Sequence, residues 1–361
     1  MRSRDALFCS LLKAGLWNET RDIHLSKDEF ALLWKDAVRQ VCRGLVSHPL
    51  VLSGSLPSQI VSRLQDHLLA IAGLGLKMDR VIEKSVLELQ SNGIDPVLLK
   101  GRGVGSYYPN PMIRENGDVD LYVGPGNYKA AFEVLVKLAD KPEDTLFEGG
   151  SKHSHLEIDG VIVEIHKYCE ILPRRYDARF QSIARKGLTE GLVIMPFGEA
   201  CVSTPETTFN AFFIFNHLWR HFVTEGVGFR QVCDWTVFLH ANAGKIDHEK
   251  LRSILESLDL LRVWRVFGRI AVDVLGLPDD EMPFSRPVSA RSIDRVVEMI
   301  MEEGNFGHER EDWWTVPRES FFDKVRVFFM IAKRYFALVP IFGKVVLVEY
   351  FSRMRKKFFG Q

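Results

Sequence analysis

Val97-Leu98-Leu99-Lys100-Gly101-Arg102-Gly103-Val104-Gly105-Ser106, with Gly117-Asp118-Val119-Asp120-Leu121-Tyr122-Val123 following a polar loop, is the stretch that decides the fold. Val97-Leu98-Leu99 is a short apolar run closed by Lys100-Gly101, the pattern of a buried strand entering a glycine turn. Asp118 to Val123 alternates with period two, so Asp118 and Asp120 point to one face of a strand, about 6–7 Å apart. Paired carboxylates on a half-buried strand repel each other unless a cation neutralises them. Hard divalent cations take oxygen ligands, and Mg²⁺ is usually held by one or two carboxylates plus substrate phosphates.

Downstream, His153 to Ile158 and Val161 to His166 read as two strands joined only by Asp159-Gly160. Asp-Gly in a two-residue loop favours a type I′ turn and fixes the register, placing His155 opposite Glu164 and His153 opposite His166. Glu164 lies mid-strand between Val163 and Ile165, which makes it the candidate third carboxylate for metal-assisted phosphoryl chemistry. The plainer reading makes Glu164 a cross-strand ion-pair partner of His155, worth about 0.2–1 kcal/mol. Glycines in the upstream turn let backbone N–H groups approach phosphate oxygens, and Lys100, Arg102 and Arg114 supply positive charge.

Helical periodicity flanks this insert. Phe30, Leu33, Trp34 and Ala37 recur at helical spacing, as do Leu64, Leu68, Ile71 and Leu74. A turn-rich stretch from Ser47 to Ser58 separates helical blocks, and Asn92-Gly93 closes the last of them. Thr204-Pro205-Glu206 reads as a helix start, with Thr204 as N-cap. Helical patterns then run over Phe209 to Phe222, Phe229 to His240 and Leu251 to Leu275. The expected class is α+β: a helical region over 1–93, a small α/β core with a mixed sheet over 94–200, and a helical region over 201–361.

The chain has 361 residues, 46% of them hydrophobic and 26% charged, enough for a sizeable core. Its 47 basic and 47 acidic side chains cancel, which disfavours non-specific nucleic-acid binding. Five cysteines without a CxxC pair argue against a disulfide framework or a thiolate zinc site and fit a reducing cytoplasm. No export signal and no uninterrupted transmembrane run is found. The last 41 residues carry nine Lys/Arg against two acids, with many Phe. They read either as a packed terminal helix pair with a solvated basic tail from Arg353 to Lys357, the preferred reading, or as a segment touching anionic lipid.

Leu98-Leu99-Lys100-Gly101, Tyr107 to Pro111, Arg114 and Gly117 to Leu121 together resemble the little-characterised nucleotidyltransferase family of the DNA polymerase β-like superfamily. Val163-Glu164-Ile165-His166 resembles its third-carboxylate strand. Gly228 to Trp235, preceded by His217 and His221, resembles its C-terminal helical motif. The resemblance covers about residues 30 to 240. It implies a polymerase β-like core in which Asp118, Asp120 and Glu164 bind two Mg²⁺ ions, Mn²⁺ being the alternative. An NTP would lie against Lys100, Gly101, Arg102, Ser106 and Arg114, and pass its nucleotidyl group to a small-molecule or protein hydroxyl.

In that superfamily a Gly-Ser pair ends the first strand. Gly105-Ser106 fits the spacing, but Lys100-Gly101-Arg102 fits the strand end better and is the preferred register. His155, His166, Arg230 and Asp234 are candidates for the substrate cleft, although Arg230 and Asp234 also form an i, i+4 helix pair. His153, His155 and His166 admit a zinc reading, as do His217 and His221 at helical spacing, but there is no H-E-x-x-H glutamate. On like-charge repulsion alone, replacing either aspartate should abolish transfer and leave stability unchanged or improved. The competing reading is a nucleotide-binding regulator or scaffold with a decayed centre, peripheral to a membrane.

Overall fold

The structure is a computed structural model that describes residues 3–21, 23–307 and 321–359. It is 65% helical with one mixed sheet, an α+β architecture. Three helices, α1 (Ser3–Leu16), α2 (Lys27–Arg39) and α3 (Arg43–Ser53), lead into the long α4 (Ser58–Ser91). Ser26 starts α2 with a capping box closed by Glu29. The expected break at Ser47 falls later, at Gly54, with Pro49 inside α3. Leu45, Val46 and Leu50 are fully buried where α3 packs between α1 and α4, and this burial carries the helix through the proline.

The α/β core follows: β1 (Val97–Leu98), the single turn α5 (Arg102–Gly105), β2 (Val119–Tyr122), α6 (Gly124–Leu135), then β3 (His153–Ile158) and β4 (Val161–His166). After α7 (Arg174–Gly187), a second hairpin forms from β5 (Val193–Phe197) and β6 (Ala200–Thr204). The sheet order is β3-β4-β2-β1-β6-β5, with β2 parallel to β4 and β1 parallel to β6. Asp159 (φ 49°) and Gly160 (φ 66°) both take left-handed backbone, as a type I′ turn requires. His155 therefore pairs with Glu164 and His153 with His166.

That register sorts the faces. Leu156, Ile158, Val163 and Ile165 join Val119, Leu121 and the second half of α4 in one apolar cluster beneath the sheet. The alternate residues, Asp120, Glu164 and His166 among them, emerge on the other face.

Helices return with α8 (Thr207–Thr224), α9 (Phe229–Asn242), α10 (His248–Ser257), α11 (Leu261–Asp273), α12 (Ala290–Glu303), α13 (Phe321–Phe342) and α14 (Val345–Phe359). Thr204 is not the cap of α8: it is still strand, its hydroxyl donating to the Val193 carbonyl at 3.0 Å. Glu206 caps the helix instead, accepting from the Thr208 and Phe209 N–H groups. The pattern over Leu251 to Leu275 is broken into α10 and α11 around Asp259 (φ 59°).

Helices α1 to α3 share one continuous apolar core with α8 to α14, around Trp219, Trp235 and Trp264. No helix among the described residues is long and apolar enough to cross a membrane. Arg353 of the expected solvated tail donates to the Thr224 carbonyl, while the side chains of Lys356 and Lys357 lie outside the described residues.

Candidate active site

The site is built where three strands end side by side. The Leu99 N–H donates to the Asp120 carbonyl at 3.0 Å, which aligns the exit of β1 with β2. In the parallel β2–β4 ladder Asp120 is the direct partner of Glu164. Asp118 stands one residue before β2, on the face of Asp120. Each of Asp118, Asp120 and Glu164 offers an oxygen within 4.8 Å of the others.

Lys100 and Gly101 occupy the turn after β1. Gly101 adopts φ 56°, ψ −124°, which is open to glycine and strained for other residues, and an added Cβ would lie 3.3 Å from the Asp118 carbonyl. This turn aims the Lys100 side chain back across the strands, and its Nζ lies 2.9 Å from Asp120 Oδ1. Gly105-Ser106 lies a helical turn further on, at the end of α5. The Ser106 hydroxyl donates to the Gly103 carbonyl at 2.7 Å and does not line the cleft.

Charge in this cluster is tightly coupled, with three carboxylates against Lys100 and His166. Burial alone would raise the Asp120 carboxyl; Lys100 and His166 outweigh it and hold the group well below its usual range. Burial opposes the charge on Lys100 too, but Asp120 and Asp118 reverse the effect and raise its pKa. His166 Nε2 sits 2.8 Å from Asp120 Oδ1 and 3.1 Å from Glu164 Oε2. Against the cost of burial, these two carboxylates raise the imidazole pKa. The same contact lowers Glu164, again against burial. Asp118 goes the other way: repulsion from Asp120, then burial, raises it. Asp120 Oδ2 is buried with no hydrogen-bond partner. Three hard oxygen donors and one orphaned lone-pair site fit a divalent cation.

Across from the sheet, α8 and α9 close a cleft of about 220 Å³. Lys100, Gly101, Asp118, Asp120 and Glu164 form its floor. Arg114 and Asp234 form part of its wall, locked together by bonds of 2.7 and 2.8 Å, with the Tyr108 hydroxyl donating to the same carboxylate at 2.7 Å. The i, i+4 pair of Arg230 and Asp234 is therefore not made. Arg230 lines the cleft, donates to the Glu115 carbonyl at 3.2 Å and keeps a buried Nε without a partner.

Two other sequence candidates sit elsewhere. Arg102 is buried beneath α5, its guanidinium forked onto Asp79 of α4 at 2.7 and 2.6 Å. His155 is exposed, with Nδ1 3.5 Å from Glu148. The three-histidine zinc group thus loses one member, although His153, Glu164 and His166 still offer atoms within 4.8 Å. Since His166 Nε2 faces two carboxylates, it serves there as a hydrogen-bond donor.

Several lining residues were missed or left aside by the sequence reading: Lys152, Gln231 and Phe306, with His217 and His221 stacked edge-on at 4.4 Å. Burial, then the charge of Lys100, keeps the His217 imidazole neutral. The sequence signals for them are the i, i+4 spacing of the two histidines and the resemblance of Gly228 to Trp235, which contains Gln231, to a C-terminal helical motif; Lys152 and Phe306 carry neither.

Residues 26–276 match the family of uncharacterised nucleotidyltransferases. The chain belongs to that family. No curated protein and no solved structure matches it. The match runs from the start of α2 to the end of α11, so it takes in the whole sheet and both helices that close the cleft.

Proposed function

We propose that this nucleotidyltransferase uses a divalent metal, Mg²⁺ or Mn²⁺, to transfer a nucleotidyl group from an NTP to a hydroxyl acceptor, releasing pyrophosphate. One observation carries the reading: Asp118, Asp120 and Glu164 converge within 4.8 Å on the floor of a cleft, beside an orphaned Asp120 oxygen. Those three side chains would hold the metal, which supplies charge neutralisation to a triphosphate and its departing pyrophosphate. Lys100 keeps Asp120 ionised and ready as a ligand. His166 fixes the separation of Asp120 and Glu164 by donating toward both. Gly101 leaves room for phosphate oxygens against the backbone, and Lys152 and Arg230 extend the positive charge along the cleft.

In the reaction the acceptor oxygen attacks the α-phosphorus, the bond to the β-phosphate oxygen breaks opposite it, and the acceptor proton passes to a base in the cleft. The chain's contribution is positioning and electrostatics without a covalent intermediate. The neutral total charge favours a small-molecule or protein hydroxyl over a nucleic-acid end.

Incubation with labelled NTPs, Mg²⁺ and cell extract should give a labelled product. Asp118→Asn should lower its yield on the order of a thousandfold while the protein still melts cooperatively. Full turnover by that variant would remove the carboxylates from the chemistry. Stabilisation of the wild-type protein by Mg²⁺ and NTP with no product in any extract would favour the scaffold reading.

A further inference from the structure

Helices α13 and α14 form an antiparallel pair at the end of the described chain, turning at Gly343. Their inner faces are accounted for: Val327, Ile331, Tyr335, Leu338 and Phe342 enter the main core. The outer face is not. Arg326, Phe329, Lys333, Phe336 and Pro340 are exposed in steps of three and four, so they form one stripe along α13 in which cationic and aromatic side chains alternate. Phe329 is 64% exposed, Phe336 55% and Phe351 of α14 62%. Tyr350 is buried between the two helices, its ring 6.0 Å from Phe336 and 5.2 Å from Phe351, so the exposed rings of α13 and α14 flank one buried ring.

Its charge is of one sign. Glu349 is buried against Arg220, and Asp323 is half-buried. Arg334 and Arg353 turn inward, to Glu303 and to the Thr224 carbonyl. Arg326, Lys333 and Arg355 remain outside with no ion pair among the described residues. Large exposed apolar side chains flanked by long cations are the composition of a helix lying in the headgroup region, with rings in the acyl boundary and cations at the phosphates.

We propose that α13 and α14 dock this protein flat onto an anionic phospholipid surface through Phe329, Phe336 and Phe351, with Arg326, Lys333 and Arg355 engaging the headgroups. A second copy fits the stripe less well, because a two-fold contact would set Arg326 and Lys333 against like charges. Spanning the bilayer is excluded for these helices, since none is long and apolar enough. The proposal is independent of the chemistry assigned to the cleft.

Flotation of the full-length protein with vesicles tests it. Vesicles of phosphatidylcholine and phosphatidylglycerol should carry the protein up, vesicles of phosphatidylcholine alone should not, and added salt should weaken the binding. The pair R326Q and K333Q together should reduce the affinity about thirtyfold. F329S with F336S should also release the protein from anionic vesicles, and both double variants should keep the wild-type circular dichroism. Failure to float with anionic vesicles, equal binding to neutral ones, or binding undiminished in both variants would overturn the proposal. So would a dimer in sedimentation velocity that F329S with F336S dissolves while vesicles are ignored, because the stripe would then belong to a second copy.

Discussion

Asp118 and Asp120 share one face of one strand, yet the protein treats their charges in opposite ways. Asp120 is buried and faces Lys100 at 2.9 Å and His166 at 2.8 Å. Asp118 has neither contact and carries the repulsion of the pair, which raises its pKa. Like-charge repulsion alone would make either removal harmless to the fold; the Lys100 bond splits the two cases. Asp120→Asn removes the nearest counter-charge of the half-buried Lys100 ammonium and the acceptor of His166, and should cost about 3 kcal/mol. Asp118→Asn relieves repulsion and should be neutral or stabilising by less than about 1 kcal/mol. Urea denaturation at neutral pH without divalent metal measures both, and equal losses would contradict the division of charge. The pairing could not be read beforehand. Lys100 and Arg102 are adjacent cations flanking one glycine, and only the turn at Gly101 and the course of α5 decide that Lys100 crosses the strands while Arg102 drops to Asp79.

Helix α8 carries the roof of the cleft, and its first turn rests on one side chain. Glu206 accepts from the Thr208 and Phe209 N–H groups at 3.0 and 2.9 Å and from Lys250 Nζ at 2.8 Å. Burial acts to raise this carboxyl, but Lys250 and the two N–H donors prevail and lower it from 4.5. A lowered carboxylate favours the fold above its unfolded pKa, and that contribution disappears as pH falls through the folded value. Glu206→Gln should therefore be less stable than wild type by about 1 kcal/mol at pH 7, with the gap closing below about pH 4.5. Denaturant midpoints taken across that range would show it, and a gap constant with pH would assign the effect to packing instead. Elements with a local signature were legible: Asp159-Gly160 fixed the β3–β4 register, and with it the face that Glu164 shares with Asp120. The β5–β6 hairpin was not, because Pro196 interrupts its first strand and Thr204 imitates a helix cap. Nor was α7, whose buried residues are few (Tyr176, Phe180, Ala184 and Gly187) in a strongly charged run.

At the scale of the whole molecule, the cleft exists because chain segments far apart are tied into one frame. The sequence presents the helices before residue 93 and after residue 201 as two regions, and their apolar patterns contain nothing that would join them. The structure joins them through one continuous apolar core, with buried polar groups fixing how the helices meet. Trp17 Nε1 donates to the Leu275 carbonyl at 2.6 Å. Gln40, fully buried at the end of α2, donates to the Ile300 carbonyl at 2.9 Å and accepts from the Phe229 N–H at 3.0 Å. Phe229 is the first residue of α9, so its N–H has no partner within the helix and Gln40 supplies one. One amide thus holds α2, α9 and α12 at the edge of the wall that carries Arg230 and Asp234. Gln40→Ala would strand the Phe229 N–H in the interior and open a small cavity, at a cost of about 3 kcal/mol. If the frame is one cooperative unit, tryptophan fluorescence and far-ultraviolet circular dichroism should shift together to a lower urea midpoint. If α1 to α3 are a detachable cap, the substitution should release them first, and the two signals should separate into distinct transitions.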